Sequence, residues 1–333
     1  MNKFLLFLGG CLILAAVTCK AHSTGDRVVL QPKLHVGQII RYQVGYRATN
    51  NTNTESTVAA PMAPTGGQIS ANIQLQVDVE DLRTEAGMTL ARLRTQIVDA
   101  DASSPSPIAA NSAAPTNSTP NPTSAKKSSP AGKTVELTLR SDGQVSDVRG
   151  LDKLTADERA AWQEWVDRFG GAAPFPEKGI RPGDKWKRDE PIPESLLAGL
   201  SWEKESEYVN NAPCAAMKLT PQGDPASGQP SQETCAVILT TAILKQKSSP
   251  NDATPEDYKL HDLRNMGTAQ GKNQIISYFS LKTGLVVRAT EDANQSMNLT
   301  VSKTDGSNQV HYGIEAESHA RVLLLANTPA THP

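Results

Sequence analysis

Outside a few polar stretches, apolar residues recur along this chain at every second position. "IIRYQVGYR" sets Ile40, Tyr42, Val44 and Tyr46 against Arg41, Gln43 and Arg47. "ISANIQLQVDVEDL" sets Ile73, Leu75, Val77 and Val79 against Gln74, Gln76 and Asp78. Successive strand side chains point to opposite faces, so this alternation predicts strands with one buried and one wet face. Leu90, Leu93 and Ile97 continue the pattern less regularly. "TVELTLRSDGQVSDVRG" reads as a hairpin with Asp142-Gly143 at its turn. "AAMKLT", "CAVILTTAILK", "QIISYFSLKTGLVVRA", "SMNLTVS" and "HYGIEAESHARVLLL" extend the series. Many one-sided strands predict a mainly β (α+β) protein: a large antiparallel, strongly curved sheet or half-open barrel, covered by one or more helices.

One helix is well specified. In "LTADERAAWQEWVDRFGG", Thr155 and Glu158 have the spacing of a capping box. Trp162, Trp165, Val166 and Phe169 then fall at i, i+3, i+4 and i+7, a single apolar stripe. Gly170-Gly171 ends it. A helix with two of the chain's four tryptophans on one stripe needs a large apolar partner, and the concave face of the sheet is the expected one. The segment "TPEDYKLHDLRNMG" fits a helix start at Thr254 or entry into a strand, and periodicity leaves both open.

Three segments break the pattern. Residues 101–133 are Ala, Ser, Pro, Thr and Asn with one large apolar residue, Ile108. Such a composition cannot bury enough surface to offset its ordering entropy, and a disordered insertion is expected. Weaker insertions are expected at about 49–67 and 221–234. All three lie between predicted strands, so they read as long loops of a single β-rich domain over residues 22–333.

The N-terminus has the layout of an export signal. Lys3 precedes an apolar run from Phe4 to Val17, and Cys19-Lys20-Ala21 follows with small residues at both ends. The run is about 14 residues, short of the roughly 20 that a membrane span needs. Cleavage after Ala21 is expected; lipidation of Cys11 or Cys19 is the rival. The mature chain is then exported, periplasmic or cell-envelope associated in a Gram-negative bacterium, with no transmembrane segment. Loss of Lys3 and Lys20 lowers the 33 basic residues to 31 against 35 acidic ones, a net charge of −4. No basic block stands out, so nucleic acid is not an expected partner. Cys214 and Cys235 remain, and an oxidising compartment predicts one disulfide between them, the alternative being two unpaired small hydrophobes.

Chemistry-bearing patterns are scarce. His22, His35, His261, His311, His319 and His332 form no metal-ligand spacing. His261-Asp262 is an isolated pair, and Glu203, Glu205 and Glu207 read as a charged solvent face. No nucleophile elbow, phosphate loop or dinucleotide glycine pattern is present. No catalytic residue, metal ligand or cofactor is therefore assigned. In "GIRPGDKWKRDEPIP", Pro182-Gly183 suits the centre of a type II turn, with Asp184 accepting backbone N–H bonds. Trp186 then faces the core between outward-pointing Lys185 and Lys187.

"RPGDKW", preceded by the Pro-rich "APFPEKGI", resembles the Pro-Gly-Asp-x-Trp motif of uncharacterised exported bacterial proteins. Their later Asp-x-Lys-Thr-Gly-x-Val hairpin is similar to "YFSLKTGLVVRATED", with Ser280 in place of the acid. The order of the "VGQIIRYQV" strand, the "LRSDGQVSDVRG" hairpin, the helix and "PGDKW" also matches, from Val36 to Leu325 without the loops. The resemblance implies the half-open barrel of periplasmic lipoprotein carriers (LolA-like), with helices plugging the concave side. It implies no activity. Two readings follow. In one, the protein binds an apolar or amphipathic ligand, lipid-like or acylated, between sheet and helix at Trp162, Trp165, Val166 and Phe169. In the other, it is an envelope structural or interaction protein with a closed core and no small ligand. The volume left between helix and sheet discriminates them. Intact-mass analysis of exported protein should give His22 as the first residue; a diacylglyceryl cysteine would overturn that expectation.

Overall fold

The computed structural model describes residues 27–57, 65–85, 87–101, 133–141, 143–170, 175–176, 178–192, 195–214, 218–219, 225–226 and 233–328. The expected leader, His22, His332 and most of the 101–133 insertion lie outside them. Five strands come first: β1 (Ile39–Ser56), β2 (Thr65–Glu85), β3 (Met88–Asp101), β4 (Thr134–Arg140) and β5 (Val145–Arg149). A 3-10 turn at Leu151–Lys153 leads into α1 (Ala156–Phe169). Then follow β6 (Lys185–Pro191), β7 (Leu200–Pro213), the two-residue β8 (Lys218–Leu219) and β9 (Pro225–Ala226), and β10 (Thr234–Gln246). The single-turn α2 (Glu256–Lys259) precedes β11 (Leu263–Ser280), β12 (Val286–Lys303) and β13 (Val310–Thr328).

Eleven of these strands make one curved, unclosed antiparallel sheet, ordered β5-β4-β3-β2-β1-β13-β12-β11-β10-β7-β6. This is the mainly β, helix-covered architecture expected from the alternation. The chain starts in the middle of the sheet and meanders out to β5. Helix α1 and the segment after it carry the chain to the opposite edge, β6, and the chain meanders back until β13 pairs with β1. Burial follows period two: Ile40, Tyr42 and Val44 are buried while Ile39 and Arg41 are exposed.

Helix α1 docks against β1, β2, β12 and β13. Its first turn is closed by a reciprocal capping box. Glu158 N–H donates to Thr155 Oγ1 at 3.3 Å, and Thr155 N–H donates to Glu158 Oε2 at 2.8 Å. The Lys133 ammonium donates to both Glu158 oxygens at 2.7 and 2.8 Å, tying the start of α1 to the approach of β4. Gly170 caps the far end in an ordinary right-handed conformation, φ −72°.

One expected loop is largely strand. Thr49–Ser56 continues β1 and Thr65–Gly67 begins β2, with Asn50 opposite Gly67 and Thr52 opposite Thr65. The same stretch of β1 pairs on its other side with β13, from Glu317 to Val310. A backbone ladder, on both sides as far as Thr52 and on the β13 side to Ser56, satisfies the peptide groups whatever the side chains, so pairing overrides composition. In the third expected loop, Pro225–Ala226 pairs with Lys218–Leu219, and Thr234 already belongs to β10.

Both sheet edges are guarded against further pairing. Strand β5 has five residues, a register shift against β4, and Asp147 in the left-handed region, φ 52°. Strand β6 ends in Pro191 and carries an exposed ladder on its outer face. Lys185 pairs with Glu207 at 2.9 Å, and Lys187 pairs with Glu205 at 3.1 Å and Glu203 at 3.8 Å. Exposed pairs of this kind contribute little each.

The two turn motifs grip the N-terminal strap, residues 27–38. Asp184 N–H donates to Arg181 O at 3.0 Å across Pro182 and Gly183, whose φ is 91°. The Asp184 carboxylate accepts Arg181 N–H at 3.2 Å and pairs with Arg27 at 3.3 Å. Arg27 also donates to Gly179 O, and Val28 bridges Ile180. In the Lys282-Thr283-Gly284 turn, Lys33 N–H donates to Thr283 O at 2.8 Å. A Cβ on Gly284 would sit 1.8 Å from Gln31 O, and φ there is 69°, so glycine lets the strap lie against the turn. Half-buried Trp186 packs on Phe175 at 5.9 Å between ring centroids.

Cys214 and Cys235 are bonded and buried, joining the end of β7 to the start of β10. On the chain-entropy model a loop of this length contributes about 3 kcal/mol.

Glu158 is buried, which raises its carboxyl. Bonds from Lys133 and the Thr155 N–H, with the Lys133 charge, outweigh that and hold it below the usual value. A folded value below the unfolded one gives stability that is present above the unfolded pKa and lost as pH falls through the folded one. Glu158→Gln should cost about 1–2 kcal/mol at pH 7 by denaturant melting. The difference should shrink below roughly pH 4; a difference constant with pH would contradict the assignment.

Candidate functional site

The aromatic stripe of α1 is closed. Trp162, Trp165, Val166 and Phe169 are 0–4% exposed. Trp165 stacks on Phe169 at 4.9 Å between centroids, and Phe169 meets Tyr42 edge-on at 5.8 Å. The Trp162 indole donates to Thr95 Oγ1 at 2.9 Å, and Tyr42 OH donates to Val286 O at 3.1 Å. Burial raises the Tyr42 phenol far above its ordinary value. These contacts bind the helix to β1 and β3, and Tyr42 ties β1 to the start of β12.

Beside the stripe lies a cleft of about 610 Å3, within the range of small-molecule sites. One wall is the polar flank of α1, with Gln163, Glu164, Asp167 and Arg168. Both sheet edges reach it. Val145 and Val148 come from β5, and Arg188 and Glu190 from β6. The sheet therefore curves until its two edges flank one seam, with α1 set in the gap. Trp202 of β7 forms part of the lining. Its ring is seated over Gly271, where an added Cβ would come 3.0 Å from Trp202 Cη2.

Strand register arranges the floor in rows. Arg188 lies opposite Lys204, Lys204 opposite Ala242, and Ala242 opposite Asn273. The next row runs Trp186, Ser206, Thr240, Ile275 and Glu291. Buried Ser206 and Thr240 share a hydrogen bond of 2.8 Å.

A buried ionic network closes one side of the cleft. Arg168, 6% exposed, pairs with Glu164 at 3.2 Å and directly with Glu291. Glu291 also accepts a bond from the Asn273 amide, whose own Oδ1 is buried without a partner. Lys204 pairs with Glu190. Burial pushes the Glu164 carboxyl up, Asp167 adds to this, and Arg168 and Lys204 oppose it. With the folded value above the unfolded one, Glu164 costs stability as pH rises through that window. Burial and the charge of Glu164 raise the nearby Tyr46 phenol.

Other candidate chemistry does not converge. His319 pairs with Asp292 at 2.6 Å and His311 with Thr300 at 3.2 Å, both exposed. No hydrogen bond joins the His261 and Asp262 side chains among the described residues. There, no group of three or more His, Cys, Asp or Glu side chains could hold a metal ion, and no helix is long and apolar enough to cross a membrane. Sequence reasoning passed over Arg168, Arg188, Lys204, Asn273 and Glu291. Each reads locally as an ordinary polar position, and only strand register brings them together.

No family model and no curated protein matches the chain. Among solved structures, one of lipid-protein interactions in lipovitellin aligns with 90% of this chain and 26% of its own. Its identity is 9% and its TM-score 0.39. This chain thus spans about a quarter of the lipovitellin chain. A protein of Parabacteroides distasonis assigned as a lipoprotein aligns over 91% of this chain and all of its own, at 8% identity and TM-score 0.27. Neither likeness is close enough to carry a function.

Arg168→Met should destabilise by about 3–5 kcal/mol, because it leaves Glu291 buried without its cation. Adding Glu291→Leu should restore part of that loss in a denaturant melt, Glu164 still lacking its cation. A double variant as weak as the single one would show that the pair is not the source.

Proposed function

We propose that this chain is an exported, non-catalytic binding protein that holds an amphipathic ligand in the cleft beside α1. The carrying observation is that cleft: about 610 Å3 between helix and sheet, with charged groups on one side and Val145, Val148 and Trp202 within reach. A ligand with a polar head and an apolar tail answers both. Each tail CH2 removed from water there is worth about 0.8 kcal/mol, less the cost of ordering the ligand. The close packing of Trp162, Trp165, Val166 and Phe169 supports a structural role for the stripe itself. The ligand therefore sits next to it, leaving the helix in place. The signal-like N-terminus supports a site of action in the periplasm or cell envelope.

The same closed stripe favours the second reading, an envelope structural or interaction protein. Titration separates the two. Fatty acid, lysolipid and an acylated peptide, added to folded protein, should produce a saturable change in tryptophan emission. Trp202→Phe should weaken the change, and Trp165→Phe should keep it. Silence with all three probes, and no lipid copurifying by native mass spectrometry, would leave the structural reading.

A further inference from the structure

The cleft holds three cations, and they are not equally satisfied. Arg168 is committed to Glu164 and Glu291, and Lys204 to Glu190. Arg188 is half-buried on β6 and has no side-chain hydrogen bond or ion pair among the described residues. It also stands directly opposite Lys204. Asn273 stands at the far end of the row, beyond buried Ala242, about three strand spacings or ~14 Å of backbone away from Arg188. Its unpartnered Oδ1 is sealed from the cleft. The row thus presents one unanswered group, the Arg188 guanidinium.

We propose that the cleft selects amphiphiles whose head carries an acid, with Arg188 as the residue that selects it. This rests on the cleft being the ligand site. A guanidinium fork takes phosphate or carboxylate oxygens in pairs, and partial burial strengthens the interaction over a surface one. The tail lies toward Val145 and Val148, of which Val148 is 38% exposed. Arg168 cannot take the anion without stranding Glu291, and Lys204 is already neutralised by Glu190.

The experiment uses the full mature chain and lysolipids of one acyl length. Lysophosphatidylglycerol should bind about tenfold more tightly than lysophosphatidylcholine or monoacylglycerol. Arg188→Gln should remove that preference and leave the weaker affinities unchanged, with an unaltered melting temperature showing that the fold is intact. Arg188→Lys should keep part of the preference. Equal binding of all three heads, or a preference that survives Arg188→Gln, would overturn this inference and leave the cleft as a ligand site. Absence of binding by every lysolipid would remove the site and the inference together. Inorganic phosphate alone should not shift the melting temperature; a shift abolished by Arg188→Gln would mark a free-anion site and refute the amphiphile.

Discussion

The structure depends on covering one face of a very wide sheet. Eleven one-sided strands expose more apolar surface than a curved sheet can hide by itself. Trp162, Trp165 and Phe169 supply the aromatic part of the cover by packing on Tyr42 and its neighbours. Three buried aromatics of roughly 200 Å2 each are worth on the order of 15 kcal/mol gross. That matches the whole net stability of an ordinary domain. The helix is therefore a structural requirement of the sheet. A ligand that had to lift it would forfeit much of that energy, which places the better binding space beside the helix.

Topology adds a second constraint. The first and last strands pair in the middle of the sheet, and α1 lies between the two halves in the chain. The sheet is complete only when β13 finds β1, across nearly the whole described sequence. Such non-local pairing makes folding slow and leaves partial sheets with open edges. The guarded edges of β5 and β6, the buried disulfide, and the strap held by the Pro182-Gly183-Asp184 and Thr283-Gly284 turns all restrict what those partial sheets can do. In this light Asp184 is a clasp: it closes its own turn and holds Arg27.

The seam where the two sheet edges meet α1 concentrates the polar groups of an otherwise apolar concave face. Arg168, Glu291 and Asn273 form a buried network whose parts are expensive to separate. Arg188, in the same cleft, is left outside it. The proposed preference of the cleft for an acidic head rests on that inequality between neighbouring cations.

Much of the fold was legible in the chain itself. Period-two burial, the Thr155/Glu158 capping box, the i, i+3, i+4, i+7 stripe and the Pro182-Gly183 turn are local facts, set by dihedral preference and by side chains a few residues apart. Composition misread Thr49–Ser56 and Thr65–Gly67 because pairing of β1 with β2 and β13 outweighs the polarity of the side chains. The cleft was illegible for a different reason. Arg188, Lys204, Ala242 and Asn273 share a row only through the registers of four strands. Arg168 meets Glu291 only because α1 crosses the sheet at β12. Alternation tells which face a residue takes. Strand order and register decide which residues become neighbours on that face, and those are settled by the packing of the whole sheet.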